Sequence, residues 1–145
     1  MKSKKLSENI LKAVKSRGYK YIELDAVIGA DQIIQRSGEN FRQYMFSFQD
    51  LNGNEMCLRP DLTIVSCLRY LKNKSKAKEK IFYSGQAFRK IGDKDGKIIR
   101  NQIGYEIIGS KNIKQDDNEI IQTSIKTIQK IKKTKLKIEI GNIKL

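Results

Sequence analysis

Hydrophobic positions along the chain change their spacing from segment to segment, and each change marks an element. Leu6, Ile10, Ala13 and Val14 recur at helical spacing. Ser3 can cap that first helix, over about residues 4–17, and Gly18 ends it. Residues 19–24 read as a strand, 31–36 as a short helix and 37–40 as a loop. The pattern then turns to alternation: Tyr44, Phe46 and Phe48 share one face of a strand over 44–49. Asn52-Gly53 supplies a tight turn, because both positions tolerate positive φ, and 55–59 returns as the second strand. Pro60, the only proline, ends that strand because it cannot donate to a ladder. Asp61 then stands at a helix N-cap, and Leu62, Val65, Leu68 and Leu71, every third residue, predict the buried face of a helix reaching about Lys72. A basic loop over 72–80 leads to two long strands, 81–90 and 98–108, around a glycine-rich loop over 92–96. Asp116 or Asp117 starts a last helix with Ile121, Ile125, Ile128 and Ile131 facing inward, and 136–140 reads as a final strand. Hairpins and helices without βαβ alternation predict an α+β fold, a mostly antiparallel sheet flanked by helices, in one domain over 1–145.

Composition narrows the function classes. The 145 residues are 39% hydrophobic, enough for one domain with a modest core. No apolar stretch is long enough to span a bilayer, and the segment after the basic Met1-Lys2-Ser3-Lys4-Lys5 is amphipathic, so the expected location is the cytoplasm. Histidine is absent, which excludes histidine-based triads and histidine-ligated metals within this chain. Cys57 and Cys67 fit no metal spacing and read as buried or half-buried thiols in a reducing compartment. No metal and no cofactor is expected. The 30 Lys+Arg against 16 Asp+Glu give a net charge of +14. The lysines are spread along the chain without interleaved aromatics, so the charge reads mainly as composition, with weak affinity for nucleic acid as a consequence.

The candidate chemistry lies in Leu58-Arg59-Pro60-Asp61-Leu62-Thr63, in Phe88-Arg89, and in Gln102-Ile103-Gly104-Tyr105-Glu106. These put two carboxylates, a hydroxyl, a guanidinium and an amide on neighbouring strands of one sheet. Such a set suits a free amino acid: Asp61 and Gln102 for the ammonium, Arg89 for the carboxylate, Glu106 for a polar side chain. Purely structural roles compete. Asp61 is also a helix cap, Arg89 and Glu106 also fit a cross-strand ion pair, and Gln102 also fits an exposed strand position.

In this order and spacing, together with Ser37-Gly38-Glu39, Met45-Phe46-Ser47-Phe48-Gln49-Asp50, Tyr83-Ser84-Gly85-Gln86-Ala87-Phe88-Arg89 and Asp116-Asp117-Asn118-Glu119-Ile120, these residues resemble one family over nearly the whole chain. It is the histidyl branch of the class II aminoacyl-tRNA synthetase core, and within it the ATP phosphoribosyltransferase regulatory subunits. Asp61 followed by Leu62-Thr63 is similar to the regulatory members, where synthetases carry glutamate and small residues. The resemblance implies a histidine pocket: Asp61, Thr63 and Gln102 at the ammonium, Arg89 on the carboxylate side, Glu106 at the imidazole. It also implies a non-catalytic subunit that senses L-histidine, partners the catalytic short-form ATP phosphoribosyltransferase, and forms a homodimer or hetero-oligomer. An alternative within the same resemblance is part of a synthetase that uses ATP, and a third is an RNA-binding relic. Lys97 and Arg100 remain as phosphate candidates. Ile91 stands where the synthetase motif 2 has an acid that seats ATP, and the motif 1 proline is missing around Leu24-Asp25-Ala26-Val27. The chain stops at Leu145, before motif 3, so the expected core is partial and incapable of aminoacylation alone.

Overall fold

Residues 2–73, 77–90, 96–131, 135–139 and 141 are described in the computed structural model. Three layers of packing position the site. Helix α1 (Lys2–Lys15) runs through a turn closed by Gly18, at φ +83°, into the short strand β1 (Lys20–Tyr21). Strand β1 pairs in parallel with β5 (Glu79–Phe88), which pairs antiparallel with β6 (Ile99–Ile108) over ten register positions. A second sheet has the order β2-β4-β3, from β2 (Val27–Gly29), β3 (Ser47–Gln49) and β4 (Glu55–Leu58), all antiparallel. Between β2 and β3 lie α2 (Ala30–Ser37) and a 3-10 helix over Glu39–Tyr44. Helix α3 (Leu62–Lys72) follows β4, and α4 (Ile113–Ile131) follows β6.

The β5–β6 hairpin divides the molecule into two faces, because successive side chains on a strand point to opposite sides. Ile81, Tyr83 and Ala87 of β5 pack with Leu62 of α3 and with Ile22. The register sets them opposite Glu106, Gly104 and Arg100, so these positions and Gln102 share the α3 face. On the other face Phe82, with Tyr105 and Ile107, packs on Val14, Tyr19 and Ile120, beneath α1 and α4. A third cluster, Ile28, Ala30, Ile33, Met45, Cys57 and Val65, ties the small sheet to α2 and α3.

The α+β class and the long hairpin agree with the sequence pattern. The β3–β4 turn does too: the Asp50 carboxylate accepts from the backbone N–H groups of Asn52 (2.8 Å) and Asn54 (2.9 Å), and Gly53 sits at φ +80°. Several expectations are corrected. Ser3 lies inside α1 rather than capping it. The 19–24 strand shrinks to two residues, and β2 carries no pattern long enough to announce it. The 3-10 helix takes up 39–44, so the alternating strand begins later, with Phe48 exposed and Met45 fully buried. In α3 the buried residues are Leu62, Val65, Ser66 and Tyr70, while Leu71 is 63% exposed. A turn of about 100° per residue puts position 71 roughly opposite position 62, so an every-third pattern walks off the core face. Helix α4 begins at Ile113, before Asp116, and it buries Asp116, Thr123 and Thr127 while Ile128 is exposed. The side chain of Ile131 lies outside the described residues. Cys57 is buried as expected but Cys67 is exposed. Residues 135–139 form no strand, and Ile140 and 142–145 lie outside the described residues, as do Ile91 and 92–95. Among the described residues no helix is long and apolar enough to cross a membrane.

Candidate functional site

Arg59, the last residue before the proline, anchors the ground on which the site is built. Its guanidinium is buried, at 8% exposure, and donates to three backbone carbonyls: Gln86 (2.8 Å), Asp25 (3.1 Å) and Leu24. Burial pulls its pKa down, yet every acceptor is a carbonyl, so the charge is satisfied by dipoles rather than by a counter-ion. The guanidinium passes directly over Gly85, where any Cβ would collide with it. This clamp ties β4 to β5 and fixes where Pro60 and Asp61 emerge.

Asp61 does cap α3: its Oδ1 accepts from the backbone N–H of Ile64 at 3.0 Å. Its Oδ2 accepts from Gln102 Nε2 at 3.3 Å, and Gln102 Oε1 accepts from the Leu62 N–H at 3.3 Å. One side-chain amide of β6 is thus locked against the first turn of α3, and Gln102 is not a bystander on an exposed strand.

A second chain of hydrogen bonds runs beside the first. Tyr83, buried to 1% exposure, donates through its phenol to Glu106 Oε1 at 2.7 Å and shares a 3.0 Å bond with the Thr63 hydroxyl. Gly104, directly across the ladder from Tyr83, makes room for the ring: a Cβ there would run into the phenol. Burial raises the Glu106 pKa above the ordinary carboxyl value; the Tyr83 hydrogen bond opposes this and the nearby Asp61 charge adds to it. Burial likewise raises the Tyr83 phenol. The arrangement presents a partly desolvated carboxyl that would gain by meeting a cation or a further donor.

Four of the five residues expected to form a binding set therefore meet: Asp61 with Gln102, and Thr63 with Glu106 through Tyr83. Arg89 stands apart from Glu106. Its Nε donates to the Pro60 carbonyl at 3.0 Å and its guanidinium lies 5.9 Å from the Phe41 ring, so the cross-strand ion pair does not form. It borders the set through Pro60, the neighbour of Asp61. Arg100 lies on the same face of β6 as Gln102, and Lys97 is exposed just before that strand. Tyr83 and Arg59 were missed as site residues. The glycines opposite them, Gly104 and Gly85, were the available signal: a glycine inside a long strand marks a close approach.

Thr63 lines a cleft of about 370 Å³ with Gln32, Arg36, Ile64, Cys67, Leu68 and Leu71. A larger cleft of about 610 Å³ lies away from the cluster, against Gly29, Gln32, Arg42 and Glu55. Its arginine among the described residues, Arg42, is already paired with Glu39 and Glu55.

The three-layer core, with a long antiparallel hairpin carrying a polar cluster under one helix N-terminus, is the class II aminoacyl-tRNA synthetase core fold. Two solved structures share it. One is an ATP phosphoribosyltransferase regulatory subunit/histidyl-tRNA synthetase from Bacillus halodurans (TM-score 0.73, 22% identity, 88% of this chain and 33% of that one). The other is the apo histidyl-tRNA synthetase of S. aureus (TM-score 0.70, 21% identity, 89% and 30%). The family model for histidyl-tRNA synthetase matches residues 1–145, and the chain belongs to that family. Among curated relatives, the histidine–tRNA ligase of Sulfurisphaera tokodaii is 33% identical over 97% of this chain and 34% of its own length. The ATP phosphoribosyltransferase regulatory subunit of Mesorhizobium japonicum is 27% identical over 77% of this chain and 30% of its own. The chain spans about a third of the length of these relatives.

Proposed function

We propose that this chain is a non-catalytic regulatory module of ATP phosphoribosyltransferase that senses L-histidine at the Asp61–Glu106 face. The observation that carries the reading is the half-buried Glu106 carboxyl, raised in pKa and held by Tyr83, next to the Asp61–Gln102 pair. Several relatives named as regulatory subunits support it. In this reading the ligand ammonium meets Asp61 Oδ2, the Gln102 carbonyl oxygen and the Thr63 hydroxyl. The imidazole meets Glu106, and Arg89 serves the carboxylate. An imidazolium beside Glu106 lowers the carboxyl's pKa and replaces the solvation that burial removed. Histidine then biases a cytoplasmic oligomer with the catalytic short-form subunit toward an inactive state, which requires different affinities for the two states. Residues 1–145 act as one partial class II core domain.

Isothermal titration of the purified chain with L-histidine, against L-alanine and ATP, tests the reading. Selective heat with histidine, weakened about tenfold or more by Glu106→Gln, is expected, since one lost charge-assisted hydrogen bond costs about 1.5–3 kcal/mol. Equal heats for histidine and alanine would sink it.

The second reading, part of an ATP-dependent histidyl-tRNA synthetase, is favoured by the 33% identity to the Sulfurisphaera tokodaii ligase over nearly the whole chain. Lys97 and Arg100 would then face phosphates. Histidine-dependent exchange of pyrophosphate into ATP would favour it. Ile91, in place of the motif 2 acid, speaks for the regulatory reading.

A further inference from the structure

Helices α1 and α4 pack on the face of the hairpin away from Asp61 and Glu106 and leave a cleft of about 360 Å³ between them. It is lined by Ala13, Arg17, Lys126, Thr127, Gln129 and Lys130. Three of these are cations and none is an acid. Lys126 and Lys130 stand four apart on one helix, a like-charge spacing that destabilises a helix unless something offsets it. Neither forms an ion pair among the described residues. The Arg17 guanidinium is aimed by its Nε, which donates to the Thr123 hydroxyl at 2.8 Å, and among the described residues its terminal nitrogens take no partner. Thr127 is 5% exposed, lines the cleft, and among the described residues its hydroxyl has no hydrogen-bond partner. A buried hydroxyl left unpaired is costly, and most such groups are satisfied in folded proteins.

We propose that this cleft binds the phosphate groups of a small phosphorylated ligand, with Arg17, Lys126 and Lys130 neutralising the charge and Thr127 donating to an oxygen. The planar fork of an arginine with two ammonium groups around one hydroxyl suits a diphosphate. Placement of Lys130 near the end of α4 also complements the helix dipole. A dipole role, however, calls for neither the cleft nor an unpartnered threonine. Among the described residues no aromatic side chain lines the cleft, whereas sites that track a nucleic-acid strand stack bases on aromatics, so a compact ligand fits better than RNA.

Titration of the full chain with inorganic pyrophosphate, followed by calorimetry at fixed ionic strength, tests the assignment. Saturable one-to-one binding is expected. Lys126→Gln and Lys130→Gln, both at exposed positions, should each weaken it by about tenfold, the range of a lost charge-assisted hydrogen bond. Thr127→Val should weaken binding several-fold and raise the melting temperature of the free chain, because it removes a hydroxyl that only the ligand satisfies. Glu106→Gln should leave pyrophosphate binding unchanged. Heat that does not saturate, that vanishes with modest added salt, or that ignores Lys126→Gln would overturn the proposal. So would tight binding of a single-stranded RNA that pyrophosphate fails to displace.

Discussion

Replacing Tyr83 by phenylalanine removes one oxygen from a ring that is fully buried, and that oxygen serves two partners, Glu106 at 2.7 Å and Thr63 at 3.0 Å. The ring volume is kept, so the change isolates the hydrogen bonds. Their worth depends on the charge of Glu106. A bond between neutral groups contributes about 0.5–1.5 kcal/mol and one to a charged group about 1.5–3 kcal/mol. Burial raises the folded pKa of Glu106 above its ordinary value, so the folded chain holds that proton more tightly than the unfolded chain. The sign follows: the contribution of Glu106 to stability is full below about pH 4.3, the unfolded value, and is lost as pH rises through the folded value. Without the phenol the folded value rises further, and more is lost. The destabilisation by Tyr83→Phe should therefore be about 1 kcal/mol at pH 4 and about 2 kcal/mol or more at pH 7. Urea unfolding of both proteins at the two pH values reads this directly, because other titrating groups cancel in the comparison. With a slope of about 2 kcal/mol per molar urea, the midpoint gap should widen by about 0.5 M between pH 4 and pH 7. Equal gaps at both values would show that the phenol does not serve an ionised Glu106, and the account of the site would fail with it.

Asp61 has two separable duties. Asp61→Asn keeps an acceptor for the Ile64 N–H but sets an amide donor against Gln102 Nε2 and should cost about 1 kcal/mol, whereas Asp61→Ala loses the cap as well and should cost about 2 kcal/mol. If Asp61 holds an ammonium, both should abolish histidine heat in calorimetry. Arg59→Lys should destabilise by about 3 kcal/mol or more in chemical denaturation, because an ammonium cannot span three carbonyls set around a guanidinium. A tolerated lysine would mean the clamp is dispensable. Gly104→Ala should lower stability by about 1–3 kcal/mol through overpacking against Tyr83, and the loss should shrink in a Tyr83→Ala background. Additive losses would show that the two positions do not meet.

The elements most legible in the sequence were those whose signals are local. Asn52-Gly53 needed only its own backbone freedom, and Asp61 only the four residues after it. The β5–β6 pairing followed from two long apolar runs around a glycine-rich loop. Strand β2 was hidden because three residues carry no period, and its pairing with β4 is decided by tertiary contact. The buried face of α4 escaped because its most buried positions include Thr123 and Thr127, with Ile120 rather than Ile128 packed on the core: Thr123 takes the Arg17 hydrogen bond and Thr127 lines a cleft. Among the candidate residues, Asp61, Thr63, Gln102 and Glu106 come together in one hydrogen-bonded cluster. The linking part was Tyr83, whose role depends on a cross-strand glycine that only the register reveals.

Strand β1 joins its sheet by two parallel pairs, Lys20 with Ile81 and Tyr21 with Phe82. That short ladder closes roughly 60 residues of chain, whereas β5 and β6 are neighbours in sequence, and long closures cost entropy that only later contacts repay. The hairpin is therefore set to form early and the amino-terminal arm to dock late. The bridge from Asp61 to Gln102 closes a loop of 41 residues and so also follows the hairpin. A ligand held across it would act on the last step of assembly, slowing unfolding far more than it speeds folding.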